Sequence, residues 1–274
     1  EIDNAKNQLV PPLFNLKDYP RIDGSTATNP FVIDLTEKLL GIDEDEAKKV
    51  ISLSKTHQAY VNLIDGTADL IFVTKPSEEE LAYAKEKGVE LEVVPFSKEG
   101  FVFLTHTKNK VNSLTVEQIR SIYEGKITNW SQVGGADAKI IPYQRPVNSG
   151  SQTIMEDFMH GYSLMEPPKE QIIAGMGELI DVVSNYQNSD KAIGYSVFYF
   201  ANEMNANPDS KFFMVNNVAP TRFTIKTGEY PLVYNYYAVI RKSDGKDSPA
   251  RKVLNWVLSN DGQKLVDESG LVSM

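Results

Sequence analysis

Short apolar runs alternate with helix-forming patterns along this chain, and the alternation constrains the fold more than any other feature. The run Asp69–Val73 is short, continuous and bounded by polar residues, which is typical of a strand buried in a parallel sheet. Pro30–Leu40 has helical spacing of its apolar residues, with Asn29 and Pro30 suited to the N-cap and the first helical position. The alternation predicts an α/β protein whose mainly parallel sheet is flanked by helices and whose ligands bind at the carboxyl ends of strands.

Other elements follow from the same patterns. Ser77 with Glu80, and Thr115 with Gln118, form capping boxes that open helices. Residues 1–18 are polar and contain prolines, and they are predicted to be a loosely held lead-in or the remnant of a tether. The other predicted strands are Leu91–Phe96, Phe101–Thr105, Ala192–Tyr195, Phe212–Val215 and Val233–Ile240, and the other predicted helices are Leu179–Tyr186, Pro249–Leu258 and a short one near Leu265.

Two turns rich in hydroxyl groups each lie between a predicted strand and a predicted helix. Ser25 and Thr26 form the first turn, and Ser149-Gly150-Ser151 form the second. The first N–H groups of a helix lack partners and lie at the positive end of its dipole, so they attract anions. Arg145 adds a fixed charge with a forked set of donors. The pattern indicates an anion site, and ordinary helix caps beside a solvated arginine are the alternative.

Two further hydroxyl groups are expected near these turns. Thr56 opens a predicted helix, and Thr74 directly follows the strand Asp69–Val73. Because the carboxyl ends of parallel strands meet at one edge of a sheet, Thr26, Thr56 and Thr74 are predicted to lie at the same edge. His57 adjoins Thr56 and could line the site, although a surface or hydrogen-bonded histidine is the interpretation we favour.

Composition excludes several classes of function. The chain has 274 residues, enough for one large domain or two smaller lobes, and its formal net charge is −9. This charge, without a basic stripe, argues against a nucleic-acid partner. The sequence contains no cysteine, so a disulfide framework or a thiolate metal site is impossible. No apolar run is long enough to span a bilayer, and a targeting leader is expected to be missing from the sequence in hand.

A longer string of residues resembles one known family. Leu114-Thr115, Gly125-Lys126-Ile127, Asn129-Trp130 and Gly134-Gly135 follow one another in the order seen in the substrate-binding proteins of bacterial phosphate ABC importers. These proteins are members of the type II periplasmic-binding-protein superfamily. Arg145 with Ser149-Gly150-Ser151 is similar to the family's phosphate motif, and the likeness extends over about residues 20–260.

The resemblance implies a two-lobed α/β fold with two hinge crossings and a ligand cleft between the lobes. Lobe one would comprise residues 1–105 and 227–274, and lobe two would comprise residues 106–226. The crossings would lie near Leu104–Lys108 and Thr224–Leu232. Each lobe would be a mainly parallel sheet flanked by helices.

The resemblance also implies a set of ligand contacts. Thr56 takes the place of a family serine, and Thr74 stands where phosphate binders carry an aspartate, which is a departure from the family pattern. The predicted ligand-binding residues are Ser25, Thr26, Ala27, Thr56, Thr74, Arg145, Ser149, Gly150 and Ser151, with no cofactor and no metal.

The expected function is capture of phosphate or a related oxyanion outside the cytoplasmic membrane for an ABC permease. By family likeness, the protein would be a monomer, either periplasmic or anchored to the cell surface as a lipoprotein. A ligand-sensing receptor domain of the same fold is the alternative, because fold alone does not fix function. An enzyme is a weaker interpretation, since His57, His106 and His160 are scattered and no nucleophile elbow or Walker loop is present.

Overall fold

The structure, a computed structural model, describes residues 13–274, so most of the lead-in predicted over residues 1–18 lies outside the described residues. Strands and helices alternate and the helices flank the sheet, which confirms the predicted α/β fold class. Within residues 13–274, every helix is too short or too polar to traverse a bilayer.

The strands are β1 (Ile22–Gly24), β2 (Leu70–Val73), β3 (Leu91–His106), β4 (Ser113–Leu114), β5 (Ile141–Pro142), β6 (Ala192–Val197), β7 (Ser210–Phe212), β8 (Met214–Val215), β9 (Val233–Arg241) and β10 (Val272–Ser273). The α-helices are α1 (Asn29–Leu40), α2 (Glu44–Val50), α3 (Thr56–Asp65), α4 (Glu78–Glu86), α5 (Val116–Tyr123), α6 (Gly150–Phe158), α7 (Met176–Val183), α8 (Arg222–Thr227), α9 (Pro249–Leu258) and α10 (Asn260–Glu268).

The main sheet has the strand order β1-β2-β9-β3-β6-β5, with β10 and β7 also paired to β3. The pairs β1–β2, β5–β6 and β4–β8 are parallel, as the alternation of strands and helices predicts. The pairs made by β3 and β9 are antiparallel. This difference has a topological reason, because β3 carries the chain out of the first part of the sheet and β9 brings it back.

Strand β3 corrects the prediction of two separate strands in this region. It is continuous from Leu91 to His106, and a register shift between Pro95 and Ser97 absorbs the irregularity that resembles a break in the sequence. β3 pairs with β9 as far as Gly100 and with β6 from Phe101 onward. The change of partner falls a few residues before the boundary predicted at residue 105, and the lobe bounds themselves stay a prediction.

Most predicted helix starts are reproduced closely, although the helix predicted over Leu179–Tyr186 spans Met176–Val183. Capping boxes are present at Ser77 and Thr115, and α9 begins at Pro249 as predicted. The N-cap of α1 is Thr28, one residue earlier than predicted, and its hydroxyl donates to the carbonyl of Phe72 over 2.7 Å. That bond to the end of β2 explains the shift, because it fixes the start of α1 on the neighbouring strand.

Aromatic side chains fill the core on both sides of the point where β3 changes partner. The rings of Phe31 and Phe72 each lie 5.1 Å from the ring of Phe96. On the other side, the ring of Phe101 lies 5.1 Å from that of Phe103 and 5.5 Å from that of Tyr195. Such packing gives the strands rigid ends, and those ends carry the site described next.

Candidate functional site

A cavity of about 300 Å³ lies where the ends of β1 and β2 face the first turns of α6 and α7. The structure brings every predicted site residue to the wall of this cavity, and their role as ligand contacts stays a prediction. Those residues are Ser25, Thr26, Ala27, Thr56, Thr74, Arg145, Ser149, Gly150 and Ser151.

A tight turn after β1 forms one wall of the cavity. The backbone N–H of Ser25 donates to the carbonyl of Phe72 over 3.0 Å, which ties the turn to β2. A methyl group on Gly24 would lie 2.9 Å from the Thr28 hydroxyl and 3.0 Å from the same Phe72 carbonyl, so only glycine fits there. The turn therefore holds residues 25–27 at the cavity in a fixed position.

Gly150 brings the two sides of the cavity into contact. A methyl group built on this residue would lie 2.9 Å from the hydroxyl oxygens of both Thr56 and Thr74. The first residue of α6 therefore packs directly against the start of α3 and the end of β2. Nearby, the Lys75 ammonium donates to Asp157 over 2.7 Å, which adds an ion pair across the same boundary.

Arg145 is the buried charge of the site, with 8% of its surface exposed. Its Nε donates to the Ile173 carbonyl over 2.9 Å, its Nη2 to the Ala174 carbonyl over 2.8 Å, and its Nη1 to the Ser151 hydroxyl over 2.9 Å. These acceptors are all neutral, so the bonds orient the guanidinium without neutralising it. Burial lowers the pKa of Arg145, which reflects the cost of holding this charge away from water.

The helices that begin at the cavity differ from the others in their caps. Among the α-helices of residues 13–274, α1, α3, α6 and α7 begin at the cavity and have no side-chain N-cap bond. The helices α2, α4, α5, α8, α9 and α10 each have an N-cap side chain that accepts a bond from a backbone N–H. Uncapped first turns leave N–H donors available in α3, α6 and α7, whereas in α1 Pro30 has no N–H and the N–H of Asn29 donates to the Thr26 carbonyl over 3.4 Å. Each helix contributes about half a positive charge at its start.

The charged groups around the cavity favour an anion as well. In the part of the chain that the structure describes, no aspartate or glutamate lines the cavity, whereas Lys55, His57 and Arg145 do. His57 is half exposed, and its Nδ1 lies 2.7 Å from Oε2 of buried Glu80. This pairing agrees with the interpretation of His57 as a hydrogen-bonded histidine, and the residue also lines the cavity. Lys55 has a φ of 71°, a strained value for a residue with a side chain.

The sequence did not indicate part of the lining. Gly175 and Met176 at the start of α7, Val197 at the end of β6, and Tyr236 in β9 all line the cavity. A glycine N-cap has no side-chain signature, and Tyr236 reaches the cavity only through the pairing of β9 with β2. Residues 13–274 contain no group of three side chains that could hold a metal ion.

Comparison with known proteins places the fold and the site in context. The profile of the PBP superfamily domain matches residues 16–261. Phosphate-binding protein PstS of Borreliella burgdorferi is 25% identical over 274 residues, covering 96% of this chain and 94% of the relative. The Bacillus subtilis protein of the same name is 25% identical over 263 residues, covering 92% of this chain and 79% of the relative.

Solved structures show the same architecture. A crystal structure from Clostridium perfringens, described as a phosphate ABC transporter substrate-binding protein with bound phosphate, superposes with a TM-score of 0.70 at 25% identity. The superposition covers 93% of this chain and 99% of that chain. An ABC-type phosphate transport receptor of Vibrio cholerae has a TM-score of 0.68 at 21% identity, which shows the shared fold.

The two-lobed α/β fold has a cavity lined by cationic side chains and by helix starts without side-chain caps. This combination is typical of a binding protein for a small anion. The chain belongs to the PBP superfamily, because the family profile spans most of its length.

Proposed function

We propose that this protein captures inorganic phosphate or a related oxyanion and delivers it to an ABC permease in the membrane. The proposal rests mainly on the uncapped starts of α1, α3, α6 and α7 around one cavity. A tetrahedral oxyanion offers acceptor oxygens in several directions, so it can bond to N–H donors that approach from several helices. Arg145 then supplies a formal charge beside these donors.

The relatives support the ligand class and the role. The proteins of B. burgdorferi and B. subtilis are named for phosphate binding, and the C. perfringens structure contains phosphate. Since the last of these is described as part of an ABC transporter, we infer that the present protein also acts outside the cytoplasmic membrane, with the permease as its partner. The covalent anchor and the oligomeric state are parts of the same proposal, and we expect a monomer.

Thr74 shapes the selectivity that we propose. A carboxylate at this position would repel a fully ionised oxyanion and accept a hydrogen bond from a protonated one. A threonine hydroxyl can donate or accept and carries no charge. We therefore expect the cavity to reject sulfate less strictly than a site with an aspartate at residue 74.

Hydrogen exchange with and without phosphate tests the proposal directly. Protein freed of ligand by unfolding and refolding is titrated with phosphate by calorimetry, and amide exchange is then compared in the two states. We expect slower exchange in the first turns of α3, α6 and α7. The capped first turns of α5 and α9 serve as internal controls and should not change. Absence of phosphate binding, or binding that leaves the uncapped turns unprotected, would contradict the proposal.

A further inference from the structure

Two hydroxyl groups at one end of the cavity have no hydrogen-bond partner. The Oγ1 of Thr74 and the hydroxyl of Tyr236 are both buried, and neither makes a hydrogen bond within residues 13–274. Both residues line the cavity. Buried polar groups normally make hydrogen bonds. Two buried hydroxyl groups without partners at one cavity therefore indicate that a bound ligand supplies the missing hydrogen bonds.

Strand pairing places these hydroxyl groups side by side. Val73 of β2 is the register partner of Tyr237 of β9 in an antiparallel pair, so the next residues along, Thr74 and Tyr236, stand opposite each other. Opposite residues of an antiparallel pair project from the same face. The two side chains therefore form a hydroxyl wall, which differs in character from the wall formed by Arg145 and the helix starts.

Tyr236 differs from Thr74 because a buried carboxyl group lies beside it. Glu99 has only 3% of its surface exposed, and its Oε1 accepts bonds from the N–H of Gly100 over 2.8 Å and of Tyr199 over 3.3 Å. Burial raises the pKa of Glu99 to about 7. Burial is the largest cause that raises the pKa of Tyr236, and the nearby charge of Glu99 raises it further.

The neighbouring carboxylate gives the Tyr236 hydroxyl a direction. Glu99 in its ionised form attracts the hydroxyl proton, which turns the lone pairs of the oxygen toward the cavity. Lone pairs accept a hydrogen bond from a ligand O–H, and they repel an ionised ligand oxygen. The ionised oxygens of a bound anion would then face Arg145 and the helix starts, and a protonated oxygen would face Tyr236.

We propose that Tyr236 is a specificity-determining residue that accepts a hydrogen bond from the protonated oxygen of a bound oxyanion. Hydrogen phosphate carries such an oxygen at neutral pH and sulfate does not, so Tyr236 favours phosphate. The inference rests on the proposed function and adds the group that distinguishes a protonated from an ionised ligand oxygen. Glu99 does not contact the ligand and acts as a positioning residue for the Tyr236 hydroxyl.

Calorimetric titration of wild type and Tyr236→Phe with phosphate and with sulfate tests this role. We expect the phosphate affinity of the variant to fall about tenfold, because a buried ligand O–H loses its acceptor. Sulfate affinity should stay the same or rise, because a repulsive contact is removed. Tyr234→Phe is the matched control, since Tyr234 precedes by two residues on β9 and lies outside the cavity lining.

A double-mutant cycle separates positioning by Glu99 from a structural effect. Glu99→Gln should lower the ratio of phosphate to sulfate affinity in wild type and leave that ratio unchanged in the Tyr236→Phe background. Equal losses for both anions in Tyr236→Phe would leave the affinity ratio unchanged. That result would overturn the role of Tyr236 and leave the proposed function standing. Failure of wild type to bind either anion would overturn the proposed function together with this inference.

Discussion

Replacing Arg145 by alanine is the strongest single perturbation of the proposed site. The guanidinium is almost fully buried, and its recorded hydrogen bonds reach only neutral groups. Its positive charge is therefore available to a ligand. Truncating one member of a buried charge pair costs about 2–5 kcal/mol, largely because the other charge stays buried without a partner. We expect a loss of that size in phosphate binding.

The structure also predicts a separate cost to folding. Without Arg145, the carbonyls of Ile173 and Ala174 lose the donors that hold the chain next to α7. Each unsatisfied carbonyl costs about 1–3 kcal/mol unless water replaces the donor. Binding must therefore be measured on protein shown to be folded by its unfolding transition, so that the two effects are not confused.

Calorimetry with phosphate provides the assay. A loss of 2–5 kcal/mol corresponds to an affinity lower by roughly 30- to 4,000-fold. Arg222→Ala removes the same charge from the exposed helix α8 and should change the affinity by less than about threefold at moderate salt. A folded Arg145→Ala protein with less than a tenfold loss would refute the reasoning, because the guanidinium would then not contact the anion.

Four other perturbations test separate features of the structure. Gly150→Ala should weaken phosphate binding by about 1–3 kcal/mol, because the added methyl group meets two threonine hydroxyls at 2.9 Å and separates α6 from β2. Thr74→Asp should raise the ratio of phosphate to sulfate affinity about 100-fold, as measured by competition calorimetry. Saturating phosphate should reduce the radius of gyration in small-angle scattering, because the ligand and the Lys75–Asp157 ion pair both join the two sides of the cavity. The stability of wild type relative to Glu99→Gln should fall as the pH rises from 4.5 to about 7 in urea titrations, because burial raises the pKa of Glu99 and the folded state then holds its proton more tightly.

Each of these four predictions has a result that would contradict it. A Gly150→Ala protein that binds phosphate as tightly as wild type would mean that the two sides of the cavity are not in contact in the bound state. Sulfate exclusion as sharp in wild type as in Thr74→Asp would mean that another group already performs the aspartate's role. An unchanged scattering profile at proven saturation would argue against closure. A pH-independent stability difference would mean that folding does not raise the pKa of Glu99.

Local chemistry explains why much of the site could be predicted from the sequence. The start of α6 at Ser149-Gly150-Ser151, the opening of α3 at Thr56 and the end of β2 before Thr74 each depend on a few adjacent residues. Capping residues and short apolar runs encode such features within one turn or one strand. Their meeting in one cavity was inferred from the rule that strand ends converge, and the structure brings them together there.

The features that sequence analysis missed depend on distant partners. Tyr236 lies inside the predicted strand Val233–Ile240, and only the pairing of β9 with β2 turns it toward the cavity. Gly175 carries no side chain that could mark a helix start. The polar stretch from Ser97 to Gly100 reads as a loop, yet it is strand, because β9 supplies its backbone partners.

The bare first turns of α1, α3, α6 and α7 have a consequence for the evolution of this protein. A side chain that capped any of these turns would stabilise the empty fold by about 0.5–2 kcal/mol, yet the hydroxyl of Ser149 at the start of α6 donates to the Pro146 carbonyl and leaves its own helix uncapped. A capping side chain would also accept hydrogen bonds from the N–H groups that a bound oxyanion needs. Selection for stability alone would therefore remove the anion site. In the proposed function, a bound oxyanion takes the place of the missing caps at these helix starts, and its binding would stabilise the folded protein.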